Sequence, residues 1–134
     1  MSFHPYLFFG GNCREAFTRY QQIFGGELVL LTAADMPDGE SMGAGTEDLI
    51  MHAALTIDGN LLMASDDPAA GFGPVQGMQV NYAAKDADDA QHVFKQLSEG
   101  GTVAGPIGPT SWSPMFGMCT DRFGTPWMIG ANPA

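Results

Sequence analysis

Basic residues are scarce in this chain. Five Lys and Arg stand against 15 Asp and Glu, a formal net charge of −10 over 134 residues. Such a surface repels phosphate backbones and anionic lipid, which argues against nucleic acid and membranes as partners. Cysteine is nearly absent. Cys13 and Cys119 have no CxxC spacing, so they make neither a disulfide framework nor a zinc knuckle and read as buried free thiols. No apolar run approaches the ~20 residues of a membrane span. The start, Met-Ser-Phe-His-Pro, lacks the basic head and apolar stretch of a signal peptide, and a cytoplasmic location is the expectation. No GxGxxG, GxSxG or P-loop pattern occurs, which leaves nucleotide-binding and serine-hydrolase readings without a motif.

What the chain does have is apolar content and turn formers. Its hydrophobic share of 45% is that of a folded protein, not a disordered one. The 18 Gly and 9 Pro point to many short strands and turns. The length suits one domain, or two small modules sharing a core.

The order of elements repeats. Residues 3–9 read as a strand closed by Gly10-Gly11. Asn12 follows as an N-cap, with Glu15 as its capping-box partner. Ala16, Phe17, Tyr20, Ile23 and Phe24 fall on one helical face, and Gly25-Gly26 ends it. Strands are expected at 27–33, 49–57 and 60–65, the last two joined by the Asp58-Gly59 hairpin signal; 35–48 reads as a mobile loop. After a Pro- and Gly-rich segment the sequence begins again. A strand at 78–84 leads to a helix capped by Asp86, with Ala87, Ala90, Val93, Phe94 and Leu97 on its apolar face. Gly100-Gly101 ends that helix, and strands follow at 102–107, 115–120 and 125–130. The two caps are 74 residues apart and the two glycine pairs 75 apart. The expected division is a first module over 1–65, a linker over 66–77 and a second module over 78–134.

This doubled βαβββ order resembles the vicinal oxygen chelate superfamily, which includes glyoxalase I, extradiol dioxygenases and bleomycin-resistance proteins. Pro5-Tyr6-Leu7-Phe8-Phe9 followed by Gly11-Asn12-Cys13-Arg14-Glu15-Ala16 resembles the opening of its PhnB-like branch, often labelled demethylubiquinone methyltransferase-like. The stretch from Phe116 to Ile129 is similar to that branch's C-terminal signature. The resemblance implies an α+β fold in which two βαβββ modules form an eight-stranded mixed sheet around a cup. It also implies a divalent metal held by His, Gln or Glu from the first and last strands of each module. Counting from the caps and turn glycines, the four ligand places fall on Pro5, Met63, Gln79 and Met128, with His4 beside Pro5. Proline has no side-chain donor, and thioethers are soft ligands ill-suited to Zn, Mn, Fe(II) or Mg. No metal ligand is therefore assigned and no cofactor is expected. The methyltransferase label finds no glycine-rich cradle either.

Strand alternation nominates other cup residues. On 49–57, Met51, Ala53, Leu55 and Ile57 form the set that packs under a helix, which leaves His52, Ala54 and Thr56 for the cup. His52 is the candidate catalytic residue, a general base or orienting donor; the competing reading is a half-buried histidine bonded to a carbonyl. Candidate ligand-binding residues are Ser65 beside Met63, Asn81 beside Gln79, the Trp112–Phe116 pair, and Met128. His4 and His92 read as surface, Trp127 as core, and Asp121 as a turn residue bonding its own backbone. The function expected is small-molecule binding in a paired-module cup without the metal. The alternative is a lyase or isomerase using His52 and a metal held outside the family positions. A homodimer is expected, because each module leaves one sheet face uncovered.

Overall fold

The computed structural model describes residues 1–37, 45–68 and 75–132. Residues 38–44 of the acidic loop and 69–74 of the linker lie outside the described residues, as does the reading made of them. The chain divides into two compact units, Met1–Phe72 and Gly73–Ala134.

The first unit runs β1 (Tyr6–Phe9), α1 (Cys13–Phe24), β2 (Glu27–Thr32), a 3-10 turn (Ala33–Asp35), β3 (Ile50–Ile57) and β4 (Asn60–Asp66). Its four strands lie in the order β1-β4-β3-β2, with β1 and β4 parallel and the other pairs antiparallel. The apolar stripe of α1 explains its position. Ala16, Phe17 and Tyr20 are fully buried against the sheet side that presents Leu7, Phe9, Ala53, Leu55 and Ala64. Phe9 meets Phe17 edge-on at 6.2 Å. Each of these large side chains contributes about 1.5–3 kcal/mol by leaving water.

Three expectations need correction. Asn12 sits at the N-cap but its side chain makes no capping bond. The helix's first amide, Cys13 N, and the Gly11 N before the cap both donate to Asp66 Oδ1, each at 3.0 Å. Asp66 itself is no linker residue: it ends β4 and is only 3% exposed. The third concerns β3. A register shift between Leu31 and Thr32 pairs Leu31 with His52 and Thr32 with Ile50, passing over Met51. Ile50 therefore takes the core place expected for Met51, which stays half-buried.

The second unit runs β5 (Val80–Ala84), α2 (Ala87–Ser98), β6 (Thr102–Gly108), β7 (Phe116–Thr120) and β8 (Pro126–Ala131). Its strand order, β5-β8-β7-β6, repeats that of the first unit, again with the first and last strands parallel. Here the expected cap holds: the Asp86 carboxylate accepts from Asp89 N at 2.7 Å. Asp89 in turn accepts from the Tyr82 hydroxyl at 2.7 Å, tying α2 to β5. Val93, Leu97, Cys119, Trp127 and Ile129 fill the core between helix and sheet. Asp121 does bond its own turn, accepting from Phe123 N and Thr125 N. It also accepts from Trp127 Nε1 at 2.8 Å, the polar partner that lets the indole be buried.

The eight expected strands are thus present as two four-stranded mixed sheets, one per unit, each with a helix on one face. This is the α+β class that the resemblance implies.

Candidate functional site

Each sheet has one face under its helix and one face without. In the first unit, alternation sends Leu7 and Phe9 to the helix and turns Tyr6 and Phe8 to the other side, where they are 37% and 56% exposed. Register then fixes their neighbours. Tyr6 stands opposite Met63, Met63 opposite Ala54, and Ala54 opposite Val29. Phe8 stands opposite Ser65, and His52 opposite Leu31. The Tyr6 hydroxyl lies 3.4 Å from His52 Nδ1, and the two rings are 5.9 Å apart. Phe8 closes the other flank of Tyr6, with ring centroids at 5.3 Å. His52 is thus a half-buried side chain on the helix-free face with a tyrosine beside it. Ser65 lies on the same strand as Met63 but is buried.

In the second unit the helix-free face carries Asn81 and Met128, opposite one another across β5–β8. Met128 also pairs with Met118. Phe116 stands opposite Gly130, where an added Cβ would come within 3.1 Å of the Phe116 ring, so glycine leaves the ring its place. Trp112 packs edge-on to Phe116 at 5.5 Å and is 62% exposed. Gln79 lies one residue before β5 and is exposed.

Among the candidates, then, the structure groups His52 with Met63, Asn81 with Met128, and Trp112 with Phe116. Tyr6, Phe8 and Met118 were missed. Tyr6 was within reach of the sequence, because the alternation around Leu7 and Phe9 already turns it outward. Pro5 meets the sheet through its carbonyl instead, which accepts from Met63 N at 3.1 Å. Tyr6–Met63 and Asn81–Met128 are the equivalent pairs of the two units.

Residues 1–130 match the family described as 3-demethylubiquinone-9 3-methyltransferase. The chain belongs to that family. Protein PA1353 of Pseudomonas aeruginosa is 42% identical over 98% of both chains, with a TM-score of 0.90. The PhnB protein of Bacillus cereus is 25% identical over 98% of this chain and 99% of its own, with a TM-score of 0.81. A glyoxylase/bleomycin resistance protein/dioxygenase domain of Frankia sp. EAN1pec, at 11% identity over 99% of this chain and 92% of its own, has a TM-score of 0.65 and shares the fold alone.

Neither group that these names bring to mind fits the residues present. Strand pairing puts Tyr6, not Pro5, opposite Met63 and Asn81, not Gln79, opposite Met128; on either count two of the four places for a divalent metal hold thioethers, too soft for Zn, Mn, Fe(II) or Mg. Among the described residues no three of His, Cys, Asp and Glu gather as a metal group. His4 lies outside the strands, bonded through Nε2 to Ser2 Oγ at 2.8 Å. A methyl-donor nucleotide would call on amides at the start of a helix that follows a strand. In β1–α1 the amides of Gly11 and Cys13 are already given to the buried Asp66 carboxylate. Among the described residues no helix is long and apolar enough to cross a membrane.

The two thiols are free and buried. Burial, reinforced by the Asp66 charge, pushes Cys13 up to about 12, and burial with Asp121 pushes Cys119 up to about 11.

Proposed function

We propose that this family member binds a small, largely apolar molecule on the helix-free sheet faces of its modules, without the superfamily's divalent metal. The observation that carries the reading is Met63 opposite Tyr6: a soft thioether stands on the helix-free sheet face at a place where the resemblance implies a hard oxygen or nitrogen ligand. Met128 beside Asn81 and Met118, and Trp112 on Phe116, support the same reading in the second unit. Methionine and aromatic side chains give apolar, adaptable contact, and a few neutral polar groups orient the ligand. His52, Ser65, Asn81 and Gln79 are the proposed polar contacts.

A thermal-shift screen of metal-stripped protein against a library of apolar and aromatic small molecules tests this. Stabilising hits that are lost in a Met63→Glu, Met128→Glu double variant support it. A library without hits, or hits that need added Mn(II), Ni(II) or Zn(II), overturns it.

The Tyr6–His52 contact favours a second reading, a lyase or isomerase in which His52 accepts a proton and a metal is held outside the family positions. We also propose a homodimer, because each unit leaves a sheet face without a helix. An obligate interface would bury on the order of 2,000 Å². Sedimentation at micromolar concentration is expected to give the dimer, and a clean monomer contradicts it.

A further inference from the structure

The five basic residues are placed with one regularity. Arg14 and Arg19 lie on α1, Lys95 on α2, Lys85 between β5 and α2, and Arg122 in the β7–β8 turn. None is on a strand. The first unit carries ten Asp and Glu against two Arg, and both arginines ride on the helix that covers the other face of its sheet. The strands of its helix-free face therefore carry no Lys or Arg, while the unit as a whole is acidic.

On that face three rings stand together. Phe8 and Tyr6 are 5.3 Å apart and tilted by 46°, and Tyr6 and His52 are 5.9 Å apart and tilted by 33°. Both Phe8 and Tyr6 have exposed ring surface. Ring faces carry partial negative charge and attract a cation lying within about 6 Å of the centroid. An anion would meet the same ring faces and the same acidic field as repulsion.

We infer that Phe8, Tyr6 and His52 form a subsite for an organic ammonium cation, so that the ligand of this protein carries a positive charge next to its apolar body. The inference rests on the binding reading above and adds the ligand's charge and the place where that charge sits. Met63 supplies apolar contact beside the rings.

Calorimetric titration of the full chain at pH 8 and low salt, with three probes of similar size, tests it. The probes are benzyltrimethylammonium, benzyl alcohol and phenylacetate. The cation is expected to bind at least about tenfold more tightly than either of the others, and to weaken as salt is raised. Tyr6→Leu and Phe8→Leu keep apolar bulk but remove a ring face. Each should weaken the cation by about five- to tenfold, the size of a cation–π contact, and leave benzyl alcohol within about twofold. Tyr6→Phe keeps the face and should bind the cation like the parent.

Equal binding of cation and benzyl alcohol leaves the binding reading standing and overturns this one. So does a Tyr6→Phe loss as large as that of Tyr6→Leu, which would assign the contact to the hydroxyl. Loss of the cation on Trp112→Leu with Tyr6→Leu unaffected would move the site to the second unit and overturn the assignment. Conversion of a dimer to a monomer by Tyr6→Leu, with cation binding unchanged, would make the face an interface between copies. Failure of all three probes to bind defeats both readings.

Discussion

Asp66 reaches back to the amide of Ile50, which donates to its Oδ2 at 2.9 Å. Its other oxygen holds Gly11 N and Cys13 N. One buried carboxylate thereby ties the end of β4 to the start of β3 and to the entry of α1. Asp66→Ala would leave two buried donors, Cys13 N and Ile50 N, and the part-buried Gly11 N without acceptors, at about 1–3 kcal/mol for each buried one before relaxation and water entry. We expect a net loss of about 3 kcal/mol in urea unfolding, or roughly 10 °C in Tm. Asp66→Asn should also destabilise, because its NH2 would point a donor at donors. A loss under about 1 kcal/mol for Asp66→Ala would mean these amides find water instead.

The paired glycines after each helix are expected to differ sharply in tolerance. Gly26 has φ +88°, and an added Cβ would collide with the Thr56 carbonyl oxygen of the neighbouring strand. At Gly101 the collision is with the Thr120 carbonyl oxygen. Gly25 also has a positive φ, +76°, but open space around it. Gly26→Ala and Gly101→Ala should each cost more than about 2 kcal/mol, because backbone must move. Gly25→Ala should cost less than Gly26→Ala, about 1–3 kcal/mol, the conformational term alone at φ +76° and ψ −156°. Equal losses at Gly25 and Gly26 would contradict the close-approach account.

Cys13 and Cys119 should resist alkylation by iodoacetamide at pH 8 in the native protein and react in guanidinium. Their folded pKa values lie above that of an unfolded thiol, so folding favours the protonated form. The associated stability is full below about pH 9 and is lost as pH rises toward the folded values of about 11 and 12. The urea midpoint should fall over that window, and less steeply in a Cys13→Ala, Cys119→Ala variant. Rapid native labelling, or an unchanged slope in the variant, would contradict it.

Local signals in the sequence were sufficient where the deciding partner lay close along the chain. The helix faces at Ala16, Phe17 and Tyr20 and at Val93, Phe94 and Leu97 follow from spacing alone, and Asp86 caps a helix whose third residue, Asp89, is at hand. Asn12 looked equally good as a cap, but its place is taken by a carboxylate some fifty residues away, which no local pattern reveals. Ile50 replaced Met51 in the core because a bulge shifts the β2–β3 register, and a period-two count cannot see a bulge. Counting back from Asn12 to Pro5 runs one residue past Tyr6, which alternation around Leu7 and Phe9 supplies. The pairing of Tyr6 with His52 joins residues 46 apart and depends on β1 lying parallel to β4 next to β3.

Metal dependence of ligand binding tests the central claim most directly. A stabilising ligand from the library screen would be titrated calorimetrically into protein stripped with EDTA and dialysed, and again with Mn(II), Ni(II) or Zn(II) added. Binding without a site for hard metal predicts one affinity, unchanged within about twofold across all four conditions, and no stoichiometric metal uptake. A ligand that binds only with metal present, together with one metal per chain that disappears in Gln79→Ala, would contradict it.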